Sequence, residues 1–486
     1  MASSSPSPRA LHQTIGMILG PALALLTLIY FKPEGLPPAG APTAAVAILM
    51  AVWWATEAAP VPVTAFLPML LFPLFGVAPI SQTAASYAHP IIYLFFGGFV
   101  IALAIERSGL HRRVALNIFG FFGVNGRSLV GAFMASAAII SMWISNTSTT
   151  LMLLPIAVSV IVVIRETMTH LDERTLDNFA TSLLLGLAYG ATLGGVATLV
   201  GTPPNAFMSG FMEATYDVEI DFARWMLVGV PISIVMLPVT WIVLTRFIFP
   251  VKFIASSQAI DHIAGMRRSL GKLSKAEVRT GFVFFALVIG WLFRKPIAAA
   301  IGVAELSDAG VAIMAALAAF LIPSGKNRES LVTWDDTKRL PWGVLILFGG
   351  GLALADGLTT SGLTLWLGQQ LAPIGLVNIA LLVVAATALV IFLTELTSNL
   401  ATTATILTVM AAIAVETNQD PLIFVIPVTL AASCAFMLPV ATPPNAIVFS
   451  SGYVSIPKMI RAGSILNIIG VAVLVVVALT LAPMVF

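Results

Sequence analysis

Apolar residues run in long blocks along nearly the whole chain, separated by short polar or proline-containing stretches. The blocks cover 15–31, 43–58, 62–76, 91–106, 128–164, 180–211, 225–249, 280–300, 309–323, 341–358, 377–414, 421–451 and 462–485. Most approach the roughly 20 residues that carry a helix across about 30 Å of hydrocarbon. Four of them, 128–164, 180–211, 377–414 and 421–451, are interrupted by polar residues or prolines. The pattern predicts an all-α polytopic membrane protein. The blocks at 128–164 and 377–414 read as re-entrant helical hairpins, and those at 180–211 and 421–451 as broken helices. The block at 15–31 lacks a small-residue cleavage site followed by a soluble domain. It reads as a first span and not as a removable signal.

Composition narrows the function. The 486 residues are 59% hydrophobic and 9% charged, with a mean hydropathy of +1.00. A soluble domain carries about 25% charged residues, so the bilayer is the solvent for most of this chain. A soluble enzyme is excluded. The net charge of +2 comes without a basic domain or aromatic-basic interleaving, which argues against nucleic acid. Cys434 stands alone, so there is no internal disulfide and no cysteine metal cluster. No Walker, HExxH or GxSxG sequence is present, and an ATP-driven pump or a typical intramembrane hydrolase has no support.

Positive charge sets the orientation. With the N-terminus inside and both hairpins entering and leaving on one side, 20 of the 24 Lys and Arg fall in cytoplasmic stretches, from Arg9 through 107–127, 165–174, 246–279 and 326–339 to Lys458 and Arg461. Only Lys32, Arg224, Arg294 and Lys295 face outward, and the acidic loop 213–221 joins them. The C-terminus then lies outside.

The chain also repeats itself. Phe95-Phe96-Gly97-Gly98 with Ser108-Gly109-Leu110 recurs as Leu347-Phe348-Gly349-Gly350 with Ser361-Gly362-Leu363. Ser145-Asn146-Thr147 recurs as Ser398-Asn399-Leu400, and Gly201-Thr202-Pro203-Pro204-Asn205-Ala206 as Ala441-Thr442-Pro443-Pro444-Asn445-Ala446. The order is kept, 240 to 253 residues apart. The topology gives the copies opposite orientation. That is the inverted repeat on which many secondary transporters are built.

The repeated polar positions carry the chemistry. A Ser-Asn pair inside an apolar hairpin is either its turn or a ligand site. Two copies favour the site. Free amides at the start of the second arm attract anions, while serine and asparagine oxygens and terminal carbonyls suit a small hard cation. Thr-Pro-Pro-Asn removes two backbone donors and unwinds a helix. It leaves carbonyls near Gly201 and Ala441 beside the Thr202 and Thr442 hydroxyls. No Lys, Arg or His lies in the tips or breaks, so an anion bound there is neutralised by cations and backbone dipoles. His89 and His111 sit at segment ends and read as interfacial packing. Glu57, Asp356 and Glu395 are near or inside apolar spans, where carboxylates are expensive. Glu395 either bonds the tip backbone or tunes coupling.

These residues resemble the divalent anion–sodium symporter family, of the bacterial sodium/dicarboxylate type. The resemblance rests on the paired Ser-Asn tips, on Trp54-Ala55-Thr56-Glu57-Ala58-Ala59-Pro60, and on the stretch from Ala432 to Val448. It implies a homodimeric elevator transporter that moves a divalent anion such as succinate, fumarate, malate, citrate or sulfate with sodium ions. It implies scaffold helices over 1–127 and 280–376, transport-domain halves over 128–250 and 377–486, and a basic connector over 251–279. One sodium site takes Ser141, Ser145, Asn146 and Gly201; the other takes Thr394, Thr397, Ser398, Asn399 and Ala441. The substrate touches Ser145, Asn146, Thr147, Thr202, Pro203, Ser398, Asn399, Leu400, Thr442 and Pro443. Leu400 departs from the family, where bacterial dicarboxylate members often carry threonine. A sodium-independent exchanger, a sulfate or citrate carrier and an anion channel are the competing readings, with an intramembrane enzyme a distant further one.

Overall fold

The computed structural model describes residues 10–303, 306–325, 328–371 and 378–486. Arg9 and Lys326, counted above among the cytoplasmic charges, lie outside them, as does the boundary expected at 376–377. Among the described residues the chain is helical, and its only β-type pairings are two isolated bridges. Eight helices are long and apolar enough to cross a membrane, or up to nine if one bent pair is a single span. That pair, Lys275–Leu292 and Arg294–Ile301, bends by 89°. The expected straight block at 280–300 is therefore a span followed by a sharp corner, with Arg294 and Lys295 at the turn.

All four interrupted blocks break where the sequence predicts. Hairpin 1 consists of Gly126–Ser141 and Asn146–Thr167, and hairpin 2 of Ile379–Leu393 and Asn399–Glu416. Broken helix 1 consists of Glu173–Val196 and Pro203–Tyr216, and broken helix 2 of Leu422–Ser433 and Pro443–Phe449. Prolines open the second half of each broken helix, where a missing N–H leaves no bond unmade.

The first half of broken helix 1 is the hub. Its 18-residue apolar window is 100% buried, against 17% for Leu11–Tyr30 at the periphery. Gly186, Gly190 and Gly194 line one face of it at a spacing of four. A Cβ on Gly190 would meet the Met134 carbonyl at 2.7 Å, and one on Gly194 the Ala138 carbonyl at 2.2 Å. Small residues at that spacing let two helix backbones touch inside a membrane. Here they seat the first arm of hairpin 1. The repeated Gly-Gly pairs serve the same end. Gly97 lies against the Ala312 backbone, Gly98 against Val200 in the first break, Gly349 against Tyr87 and Gly350 against the Ala65 carbonyl.

Charged side chains pair within two sets. Arg107 meets Glu329 and Asp336, Arg113 meets Glu277, Arg339 meets Glu106 and Lys458 meets Asp177. Arg294 meets Glu219 and Asp308, and Lys295 meets Asp221. Among the described residues no ion pair joins a basic residue of one side to an acidic residue of the other.

Candidate functional site

Each hairpin tip is closed by a hydroxyl five residues before its asparagine. Ser141 Oγ donates to Asn146 Oδ1 at 2.5 Å, and Thr394 Oγ1 donates to Asn399 Oδ1 at 2.8 Å. Thr150 and Thr403 hydroxyls then bond the carbonyls of Asn146 and Asn399 at 2.8 and 2.7 Å. The repeat thus persists at the level of single atoms.

The breaks are built alike as well. Asn205 Nδ2 donates to the carbonyls of Gly195 and Thr198, and Asn445 Nδ2 donates to those of Ala435 and Leu438. Each asparagine holds together the unwound backbone that precedes its own helix. The side-chain oxygens of Asn205 and Asn445 are both buried without a partner. Such orphaned oxygens are expensive in a water-poor interior.

Tips and breaks meet. Thr198 Oγ1 donates to the Met142 carbonyl at 2.6 Å and accepts from Gly201 N–H at 3.0 Å, which ties tip 1 to break 1. Thr394 Oγ1 also donates to the Ala432 carbonyl at 2.9 Å. The second arm of hairpin 1 packs on the second half of broken helix 2, and that of hairpin 2 on the second half of broken helix 1. A Cβ placed on Gly195 would lie 2.5 Å from Asn146 Oδ1 and 2.9 Å from the Gly201 carbonyl oxygen. Those two oxygens border a space left open because residue 195 has no side chain, and Ser141 Oγ is bonded to the first of them. This is a set of neutral oxygens fit for a small hard cation. Sequence reasoning missed Gly195 because one glycine among 37 carries no signal of its own.

Glu395 is placed differently from the first of its two expected roles. It does not bond its own tip. Phe436, Met437 and Leu438 N–H groups donate to its carboxylate at 2.7–3.0 Å, and Asn467 Nδ2 adds a fourth donor at 2.8 Å. It clamps hairpin 2 to the free amides of break 2. The matching position in hairpin 1 is Met142, whose backbone carbonyl receives the bond from Thr198 instead.

The remaining predicted positions divide. Ser145 Oγ caps its helix by accepting from Ser148 N–H, Thr442 Oγ1 accepts from Asn445 N–H, and Thr202 is buried. Ser398, Thr147 and Pro203 are half-buried, Pro443 is exposed, and Ala441 is buried next to Thr442. The Thr397 hydroxyl bonds Leu393 O and Thr402 Oγ1, within its own hairpin and away from the Thr394–Asn399 pair. Leu400 is 5% exposed and belongs to the apolar core. Its burial has a testable consequence. Leu400→Thr should lower the melting temperature, since a buried leucine contributes about 1.5–3 kcal/mol. The order in which succinate, malate and citrate compete should stay as in the parent. A changed order at an unchanged melting temperature would return Leu400 to the substrate site. His89 accepts from Ile91 N–H at its helix start, as expected of a segment end, and His111 Nδ1 bonds the Ile105 carbonyl.

Comparison with known proteins agrees with this architecture. The model of the sodium:sulfate symporter transmembrane region matches residues 12–486. A protein of Staphylococcus saprophyticus, the sodium-dependent dicarboxylate transporter SdcS, is 40% identical over 97% of this chain and 92% of its own length. Its namesake from Staphylococcus aureus is 39% identical over 99% of this chain and 94% of its own. Two solved transporters share the fold at low identity. MtrF of Neisseria gonorrhoeae has a TM-score of 0.54 at 12% identity, covering 97% of this chain and 96% of that one. YdaH of Alcanivorax borkumensis has 0.53 at 13%, covering 90% and 97%. With a family model spanning nearly all of its length and full-length relatives well above 30% identity, the chain belongs to the sodium:sulfate symporter family, the divalent anion–sodium symporters, and is a multi-pass membrane transporter, not an enzyme.

Proposed function

We propose that the protein is a sodium-coupled symporter that imports a C4-dicarboxylate such as succinate, malate or fumarate. The observation that carries this reading is the matched pair of tip hydrogen bonds, Ser141–Asn146 and Thr394–Asn399, each tied to its own broken helix through the Met142 and Ala432 carbonyls. They offer cation ligands twice and no fixed positive charge. A doubly charged anion held between them needs cations as partners, which couples the two cargoes. In this reading Asn146 and Asn399 each give a carbonyl oxygen to sodium and an amide hydrogen to the anion. Ser145, Thr147, Thr202, Ser398 and Thr442 add hydroxyls, and Pro203 and Pro443 flank them. Ser145 and Thr397 complete the cation shells only if their hydroxyls leave the bonds described above. The names of the staphylococcal relatives support sodium and a dicarboxylate as the cargo.

Transport proceeds by an elevator movement of the two hairpins and two broken helices (128–250 and 377–486) against scaffold helices within 1–127 and 280–376, in a homodimer. The basic stretch 251–279 links them on the cytoplasmic face of a bacterial inner membrane, with the N-terminus inside and the C-terminus outside. The separation of charged side chains into two non-mixing sets supports this orientation.

Reconstituted protein should take up labelled succinate from sodium buffer and not from choline buffer, with malate and fumarate competing better than sulfate. Equal uptake in the two buffers would replace the symporter by an exchanger. Sulfate as the strongest competitor would reassign the anion.

A further inference from the structure

Beside hairpin 1 lies a cavity of about 370 Å³ that the proposed transport site does not use. Glu106, His111 and Arg339 line one side. Ile144, Ser148 and Thr149, which bracket the Ser145-Asn146-Thr147 tip, line the other. The cavity is thus continuous in sequence with the tip and carries the basic residue that the tip lacks.

Its polar groups are incompletely satisfied. Thr149 is 1% exposed, and its hydroxyl has no partner. The repeat shows why. The matching residue in hairpin 2 is Thr402, whose hydroxyl pairs with Thr397 Oγ1 at 2.6 Å. Thr397 corresponds to Ile144 in hairpin 1, so Thr149 faces a hydrocarbon where its counterpart finds a hydroxyl. Glu106 and His111 correspond to Thr359 and Thr364. Charge at this place is therefore peculiar to the first repeat.

Arg339 is held only lightly. Its Nη2 lies 3.0 Å from Glu106 Oε2, and the arginine side chain is 61% exposed. The glutamate is 18% exposed, and a pair whose arginine is this solvated is weakly held. A second carboxylate can take the place of Glu106 at little cost, and the planar guanidinium suits it.

We propose that this cavity is a cytoplasm-facing release subsite for the transported dicarboxylate. Arg339 exchanges Glu106 for a carboxylate of the departing anion, and the Thr149 hydroxyl donates to that anion. The subsite draws the anion off the tip once sodium has left, and because Arg339 is solvated it holds the anion weakly enough to let it go. This rests on the symporter reading and on the N-inside orientation.

The test is exchange of labelled succinate in inverted membrane vesicles, which present the cytoplasmic face, loaded with saturating unlabelled succinate and equal sodium on both sides. Arg339→Ala should raise the half-saturating concentration roughly threefold or more. Glu106→Gln, which frees Arg339, should lower it. Arg339→Lys, which keeps the charge but loses the planar fork, should raise it less than Arg339→Ala, and Thr149→Val should raise the value while leaving the Arg339–Glu106 pair intact. In right-side-out vesicles the half-saturating external concentration should not move. If the ion pair were merely structural, Arg339→Ala and Glu106→Gln would shift in the same direction. That result, or an unchanged value in both Arg339→Ala and Thr149→Val, overturns the subsite. Absence of sodium-dependent exchange in the parent protein would instead overturn the functional reading.

Discussion

Gly195→Ala should abolish sodium-dependent uptake while the protein still inserts and folds. The new methyl group would stand 2.5 Å from Asn146 Oδ1 and 3.1 Å from Asn146 Nδ2. Heavy atoms cannot share that distance, so the amide of Asn146 must swing away and take its bond to Ser141 with it. A displacement of about 1 Å in a positioning group can lower a rate about a hundredfold, and here the proposed cation ligand itself moves. Folding suffers some loss, because the Gly201 carbonyl oxygen also stands 2.9 Å from the methyl group, but the nearest obstruction is a side chain that can rotate. Gly201→Ala is the contrasting case. Its Cβ would lie 2.4 Å from the Gly195 carbonyl oxygen and 2.8 Å from the Gly195 Cα. Backbone cannot swing aside, and this variant should lose stability as well as transport. Ala435 occupies the place of Gly195 in the second repeat, so the two proposed cation sites differ, and Ala435→Gly should be the mildest of the three. Uptake in sodium buffer, measured beside thermal unfolding of each purified variant, checks all three. Parental uptake by Gly195→Ala would remove Asn146 from the cation site.

Glu395→Gln produces the largest loss of stability expected from a single isosteric change. The carboxylate is 3% exposed and accepts from three consecutive backbone amides and from Asn467. A carboxamide offers one oxygen and turns its own N–H groups toward donors. At least one buried amide is left unmet, at about 1–3 kcal/mol for each such group. The full removal in Glu395→Ala strands all four donors. Break 2 also carries Ala441 and Thr442, so loosening it lowers transport together with the melting temperature. A Glu395→Gln variant that melts with the parent and transports normally would show that the clamp is not needed.

The broad architecture was readable because it follows from physics that sequence displays directly. Runs of apolar residues announce spans, and a Ser-Asn pair or two prolines inside such a run announce an interruption. All four interruptions stand where those residues stand. The matching Ser141–Asn146 and Thr394–Asn399 bonds follow from the same repeat. What could not be read depends on three-dimensional neighbours. The corner at Phe293 falls inside a block whose composition suits a straight span. Gly186, Gly190 and Gly194 acquire meaning only once the hairpin backbone lies against them. Glu395 reaches amides more than 40 residues away, which no local pattern reveals. Leu400 departs from the family motif in sequence, yet the departure is absorbed by the core.

The central claim is that two oxygen clusters bind sodium and thereby carry a divalent anion. The most direct test measures labelled sodium and labelled succinate entering the same proteoliposomes, with no sodium gradient imposed and succinate added only outside. Succinate should drive sodium inward, with two or more sodium ions for each dicarboxylate, since each repeat supplies a cluster. Sodium entry that does not respond to succinate would contradict the account.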